Sequence, residues 1–349
     1  MDSGNWTIWD EMDYGGKTYD DSDDIPKKSD PFIDVTTTRD RGNQFSSTTG
    51  ALTGQTVGSR TTNVGGGGDG RFNFVQHFDT GANQILTIGA LFRYDSLRTT
   101  FDADPLVGTG SAASIRRDLF TAAGLFRYDI GNAYFGAGVA GSFGSGNWTD
   151  NVAAASANFR SHGFMAGGRV GYVFNLVNTR GSGSRPAMHT KAPPKPVDGY
   201  TLNLSVSSSL GYAQDNIGGF TDSSGFAWGN EQLRYWKAGA QAMLYANIHR
   251  NGYKWTPFAA ATVDGQFGFS HTLDIPAQAG TTADTVLYGS PQTFWGGRLG
   301  LDITNPTGWN YGVEGSYSQS AQYQILGGRA YVRMPIDRWL GLETVASKN

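Results

Sequence analysis

Cysteine is absent from this chain, which excludes disulfides and thiolate metal sites. Charge is sparse as well: Asp, Glu, Lys and Arg supply 16% of the 349 residues, and hydrophobic residues only 38%. A disordered chain would carry more charge and fewer aromatics than the 13% found here. No run of about 20 apolar residues occurs, so membrane-spanning helices are excluded. The net charge of -3 gives no electrostatic footprint for nucleic acid. The opening MDSGNWTIWDEMDYGG has neither a basic start nor an apolar h-region. No secretory signal peptide is visible in it, and Met1 is expected to begin a fragment.

What the chain has is glycine, 50 residues of it, and a period of two. In TLNLSVSSSLGY, Leu202, Leu204, Val206, Leu210 and Tyr212 share one face of an extended strand, and Asn203, Ser205, Ser207 and Ser209 share the other. Twelve segments read this way. The first lies near Trp6 to Tyr14 and the second at Arg71 to Asp79; the last carries Leu326, Ala330, Val332 and Met334. In the ninth, Trp255, Ala259, Ala261, Val263, Phe267 and Phe269 oppose Thr256, Thr262, Asp264 and Gln266.

A soluble sandwich also alternates, but its strands average about 5 to 6 residues, whereas a tilted membrane strand needs about 9 to 11. Length therefore points to an all-β fold: a single closed antiparallel transmembrane β-barrel of about twelve strands, residues 1–336, with a tail at 337–349. The even count puts both termini on the short-turn, periplasmic side of a Gram-negative outer membrane. The weakly negative mean hydropathy of -0.37 suits strands with only one apolar face. Connections alternate long and short. A polar stretch at 15–70 is expected to be a long first extracellular loop. Residues 177–199, with RGSGSRP and KAPPKP, form an enlarged turn that Pro and Gly keep irregular. Asn251 and Gly252 are the strongest hairpin signal, since both tolerate positive φ.

Charges should avoid the lipid face, because ions are costly in hydrocarbon. Arg93, Arg127, Arg169, Lys237, Arg298, Arg329 and Arg333, with Asp95, Asp129, Asp264, Asp302 and Glu314, all fall on the opposite faces. They are expected to line a wet lumen as structural ion-pair ladders. LFRYD occurs twice, at Leu91 to Asp95 and Leu125 to Asp129, as recurrent hairpin grammar. Outward Tyr94, Tyr128, Tyr172, Tyr212, Trp236, Trp255, Trp295 and Trp309 lie near segment ends, as two aromatic girdles at headgroup level would.

Signals for chemistry are weak. Histidine is limited to His77, His162, His189, His249 and His271. His77 shares a face with Asp79, and His271 precedes Asp274, but neither accompanies a nucleophile motif. The acidic run Asp20 to Asp24 lacks the turn glycine and distal Glu of a calcium loop, and GGGGDG at 65–70 lacks the Lys-Ser/Thr of a phosphate loop. No enzyme activity, cofactor or metal is expected.

Strand order and count together resemble the translocator barrel of autotransporters. The opening NWTIWDEMDYGGKTYDDSDD resembles that domain's Trp-rich first strand running into an acidic loop, and NQILTIGALFRYD and GNAYFGAGVAGSFG are similar to its hairpins. The resemblance runs from Trp6 to about Ile336. The chain departs from it by continuing past Ile336 as DRWLGLETVASKN, where the family ends on an aromatic residue. What it implies is passive export or surface anchoring of a passenger polypeptide, with outer-membrane lipid and the barrel-assembly machinery as partners. The alternatives are a stand-alone diffusion porin and a barrel enzyme, an outer-membrane lipase or protease.

Overall fold

A computed structural model describes residues 32–49, 56–81, 84–101, 113–150, 154–179, 198–276, 284–287, 291–321 and 323–335. The described residues form no helix; their regular elements are antiparallel strands. These are β1 (Phe32–Thr49), β2 (Thr56–Gly81), β3 (Gln84–Phe101), β4 (Ala113–Ile130), β5 (Ala133–Asp150), β6 (Ala155–Asn178) and β7 (Gly199–Ile217). Two short strands follow, β8 (Phe220–Thr221) and β9 (Ala227–Trp228), and then β10 (Glu231–Arg250) and β11 (Tyr253–Ile275). The short β12 (Asp284–Leu287) precedes β13 (Thr293–Thr304), β14 (Asn310–Gln319) and β15 (Tyr323–Pro335).

Consecutive long strands pair as hairpins, β1 also pairs with β15, and β10 pairs with both β7 and β11. Each long strand is thus hydrogen-bonded along both edges. The short β12 adds to β11, and β8 pairs only with β9.

Side chains sort by parity. On β3, Ile88, Phe92 and Tyr94 are exposed, whereas Thr87, Leu91 and Asp95 are buried. Large apolar side chains face outward on every long strand from β3 onward: Phe143 is 64% exposed, Leu326 61% and Leu299 68%. The largest fully buried side chains, in contrast, are Asn203, Asn247 and Asp95. The buried face is a shared interior, because Tyr134 of β5 and Val173 of β6 cluster with Met243 and Tyr245 of β10 and Phe258 and Ala260 of β11. Leaving one large apolar side chain in water forfeits about 1.5–3 kcal/mol. A chain that does so on strand after strand is built for an apolar surrounding.

Within the interior, aromatic rings lie over glycines directly opposite in register. Tyr134 faces Gly171, Phe159 faces Gly146, Phe258 faces Gly300 and Tyr331 faces Gly312, and a Cβ at any of these glycines would overlap the ring. The missing side chain makes the seat, and the ring covers backbone that glycine leaves bare.

The structure departs from the sequence reading in three places. Residues 32–49 and 56–70, expected within one long loop, are strand β1 and the first half of β2. Their sequence mixes Thr, Asp, Arg and Gly on both faces, so no apolar alternation marks them; pairing there rests on the backbone ladder. Phe269, expected outward, lies inward and stacks on Tyr235 at 6.4 Å. A register shift opposite Arg234 to Trp236, with Gly268 at φ 56, inserts one residue and reverses parity. The enlarged turn begins later than 177, since Thr179 and Tyr200 still exchange hydrogen bonds at 2.9 and 3.0 Å. The turn at Asn251 and Gly252 has φ of 53 and 80, as the NG pair demands. The segment Trp6 to Tyr14, the run Asp20 to Asp24 and the tail 337–349 lie outside the described residues.

Gly171→Ala should displace Tyr134 and cost about 1–3 kcal/mol. Gly124→Ala, where an added Cβ meets nothing within 4 Å, should cost far less. The temperature at which the folded band of an unheated gel sample is lost would order the two variants.

Candidate functional site

The candidate site is the interior wall, which β-strand parity fills with ions. Both LFRYD copies use Arg and Asp in the same way, as a same-face i, i+2 pair. Arg93 reaches Asp95 at 2.5 Å, and Asp95 is fully buried. Arg127 donates to Asp129 through Nε at 3.0 Å and through its terminal nitrogen at 2.6 Å, with its guanidinium 3.9 Å over the Tyr134 ring. The remaining pairs cross strands. Lys237 meets Asp264 at 3.3 Å, Arg298 meets Glu314 at 3.8 Å, and Arg169 donates to Gln241 at 3.2 Å across β7. The Tyr331 hydroxyl donates to Asp302. In register, Arg329 stands opposite Glu314, and Arg333 opposite Asn310 and Asp34.

Two pairs escaped the sequence reading. Arg117 of β4 grips Asp215 of β7 through both terminal nitrogens, at 2.8 and 2.9 Å. Glu231 Oε1 lies 2.8 Å from His271 Nε2 and accepts from it when the ring carries its proton there. The signal was parity again: Arg117 has the parity of Thr121, and Asp215 that of Ser209. Arg117 lies near the start of β4 and Asp215 near the end of β7. His271 meets Glu231 of the neighbouring strand. His77 is opposite Thr87 in register, and no cluster of metal-binding side chains occurs among the described residues.

The outer wall carries the aromatic residues in two rows. Near the short turns lie Tyr128, Tyr172, Trp255, Trp309 and Tyr311; toward the other end lie Tyr94, Tyr212, Trp236, Trp295 and Tyr317. Rings touch along the second row: Tyr212 and Trp236 at 5.3 Å, Trp236 and Phe267 at 6.3 Å, Trp295 and Tyr317 at 6.4 Å. Tyrosine hydroxyls point away from the band to polar groups. Tyr212 donates to Gln214 at 2.9 Å, Tyr317 to Gln319 at 2.6 Å and Tyr128 to Gln84 at 2.7 Å. Trp255 to Phe267 on β11 spans about 40 Å of strand, or about 28 Å of height at the usual tilt. Phe120 to Tyr128 on β4 spans about 26 Å, or about 19 Å of height. These bracket the roughly 25 Å band of a membrane barrel.

At the end away from the short turns, the β7 to β10 connection folds over the interior. Phe220 packs on Phe159 at 5.9 Å, beside Ile115, Ile217 and Trp148, and Trp148 meets Trp228 at 6.2 Å. Asp222 holds the β8–β9 hairpin together: it accepts from the Ser224 hydroxyl, from Trp228 Nε1 at 3.1 Å and from the amides of Ser224 and Phe226. The hairpin is tied to β6 by Ser223 and Ser156, and Gly229 donates to the Asp274 carbonyl at 2.7 Å. Beneath it, Arg117, Leu119, Met165, Asp215 and Tyr235 line a cavity between β4 and β10.

Two predictions come from this arrangement. Asp215→Ala strands the Arg117 charge and should cost about 3 kcal/mol, the low end for a broken buried pair because both groups keep some water contact. The Arg117→Ala/Asp215→Ala double variant should recover most of that in thermal unfolding. The Ser224 hydroxyl, with the other donors, holds the Asp222 carboxyl below the usual carboxylate range. A lowered folded pKa adds stability that is fully present above the unfolded value, about 3.9, and is lost as pH falls through the lowered one. Trp228 fluorescence should stay constant from pH 8 to 5 and change only below about pH 4; Asp222→Ala should show the released signal at every pH.

No protein-family model and no curated protein sequence matches the chain. Solved structures do. The translocator domain of autotransporter NalP from Neisseria meningitidis aligns over 93% of this chain and 95% of its own, with TM-score 0.58 and 16% identity. The transport unit of the autotransporter AIDA-I from Escherichia coli aligns over 88% and 90%, with TM-score 0.61 and 11% identity. The beta domain of the Bordetella autotransporter BrkA aligns over 88% and 100%, with TM-score 0.53 and 12% identity. This chain has the fold of autotransporter translocator domains.

Proposed function

We propose that the chain is a closed twelve-stranded barrel in a Gram-negative outer membrane, with both ends periplasmic, that serves as the passive translocation or anchoring unit of a passenger polypeptide. The observation that carries the reading is the inverted distribution of side chains: an apolar outer band edged by aromatic rows, and ion pairs inside. Strands paired on both edges leave no bare backbone to face lipid. The fold of the three autotransporter domains supports the export role. Its partners are membrane lipid, the barrel-assembly machinery and the passenger; the polar interior wall offers hydrogen bonds to an extended chain without demanding a sequence.

The role needs no catalytic step. A diffusion channel is the second reading, favoured by the charged interior, and conductance separates the two. Full-length chain in planar bilayers should give small or intermittent currents, because the β8–β9 hairpin and the Tyr134 to Phe258 cluster narrow the interior at two levels. Large steady conductance would make it a diffusion porin. Hydrolysis of detergent-dispersed lipid, lost on replacing His77 or His271, would instead establish the barrel enzyme. Failure to show heat-modifiable gel mobility, or solubility without detergent, would remove the membrane reading altogether.

A further inference from the structure

On the inner face, Arg93, Arg117, Arg127, Arg169 and Arg298 meet acceptors. On the outside of β3, β4 and β6, just past the apolar band, Arg116 alone does so among the described residues. Tyr94, Phe120 and Phe143 close the band there as a continuous row, with ring centroids 4.9 and 5.8 Å apart. Two outward positions beyond, past Ser96 and Asp118, Arg98 of β3 stands directly opposite Arg116 of β4 in register, and both are exposed, the Arg116 side chain at 62%. Like charges directly across a strand pair are destabilising, so the placement calls for an anion. The carboxylate of Asp118 lies 3.4 Å from Arg116 and also accepts from the Tyr94 hydroxyl at 3.1 Å, so it neutralises one guanidinium at most.

Two strands further round, register aligns Asp118 with Ser145 of β5 and Ser145 with Arg160 of β6. The outward residues between are Ser145, Asn147 and Asn158, the last two joined by an amide hydrogen bond of 3.1 Å. Among the described residues, neither Arg98 nor Arg160 has a carboxylate partner. The three guanidiniums cover three strand spacings, about 14 Å. They sit where headgroups meet hydrocarbon, with Phe143 and Phe120 exposed immediately below for acyl chains.

We propose that this face, formed by Arg98, Arg116 and Arg160 above Phe120 and Phe143, binds a lipid of the surrounding leaflet that carries more than one phosphate. Guanidinium forks match phosphate oxygens bidentately, and a headgroup with two phosphates can engage both the Arg98/Arg116 pair and Arg160. The assignment rests on the membrane reading above and goes further by naming the lipid chemistry and its place.

The test uses the full chain in phosphatidylcholine vesicles doped with a bis-phosphorylated glucosamine disaccharide lipid or with its dephosphorylated form. The protein is re-extracted in mild detergent and retained glycolipid is measured by mass spectrometry. The chain should retain the phosphorylated lipid about tenfold or more over the dephosphorylated one, less at high salt, and Arg98→Gln/Arg116→Gln/Arg160→Gln should abolish the preference. Arg250→Gln, outward at the opposite end, should keep it. Equal retention of the two lipids by the parent chain, or full preference in the triple variant, overturns the proposal. Should the triple variant not fold, the comparison of the two lipids on the parent chain decides. A chain that never enters the vesicles overturns the membrane reading and this proposal together; entry without phosphate preference overturns the proposal alone.

Discussion

Backbone hydrogen bonding is the constraint from which the rest of the architecture follows. An N–H or C=O without a partner costs several kcal/mol in hydrocarbon, so a sheet with an apolar surface cannot leave a strand edge bare. Strand β1 shows how strictly the chain obeys this. Its sequence has no apolar stripe, yet it pairs with β2 and with β15, and without it both of those strands would present open edges. Once the ladders are satisfied, side chains need only sort by parity. The outer positions then take any apolar residue and the inner ones any polar residue that finds a partner.

The interior meets that second demand in two ways. Same-strand pairs such as Arg93 with Asp95 and Arg127 with Asp129 are set by local sequence, so they form at little cost in chain entropy and stay together whatever the neighbouring strand does. Long-range pairs such as Arg117 with Asp215 and Arg169 with Gln241 skip intervening strands, and they exist only when the sheet has curved enough to bring β4 near β7 and β6 near β10. Glycine completes the scheme. Tyr134 on Gly171 and Phe258 on Gly300 fill hollows that only a residue without a side chain leaves.

Parity made much of this legible from residues alone. Among the described side chains, the exposed Phe92, Trp236 and Trp295, the buried Asp95 and Arg127, and the Asn251–Gly252 turn each follow from a local pattern. What escaped was non-local or broke the count. Strand β1 is held by neighbours its own sequence does not advertise. Phe269 changes face because Gly268 takes a positive φ and adds a residue to β11. Arg117 and Asp215 carried the right parity, but they lie past the point where apolar alternation stops, and an apolar signal cannot mark a strand that continues into water. The partner of His271 is Glu231, 40 residues earlier, a pairing that only the β10 to β11 register defines.

That continuation past the apolar band gives the molecule a direction. At the short-turn end, the outward aromatic Tyr128 lies two residues from the end of β4, and Trp255 two residues from the start of β11. At the other end, the outward face of β4 turns polar at Asp118 and runs on through Arg116 and Ser114, while β6 runs on through His162, Arg160 and Asn158. A collar of paired strands therefore stands clear of the band on one side only, and the Asp222-stapled hairpin closes over that same side. Water competes for backbone hydrogen bonds at the collar, so its strands need side-chain help that the membrane supplies for free lower down. Such help is present: the Arg117 pair with Asp215, the Ser114 hydroxyl with Thr149 at 2.8 Å, and the Phe159 cluster all sit at collar height. The band asks its outer face for apolar residues and nothing more, whereas the collar has to be a folded soluble structure in its own right, and the Arg117 pair and the Phe159 cluster supply specific contacts there.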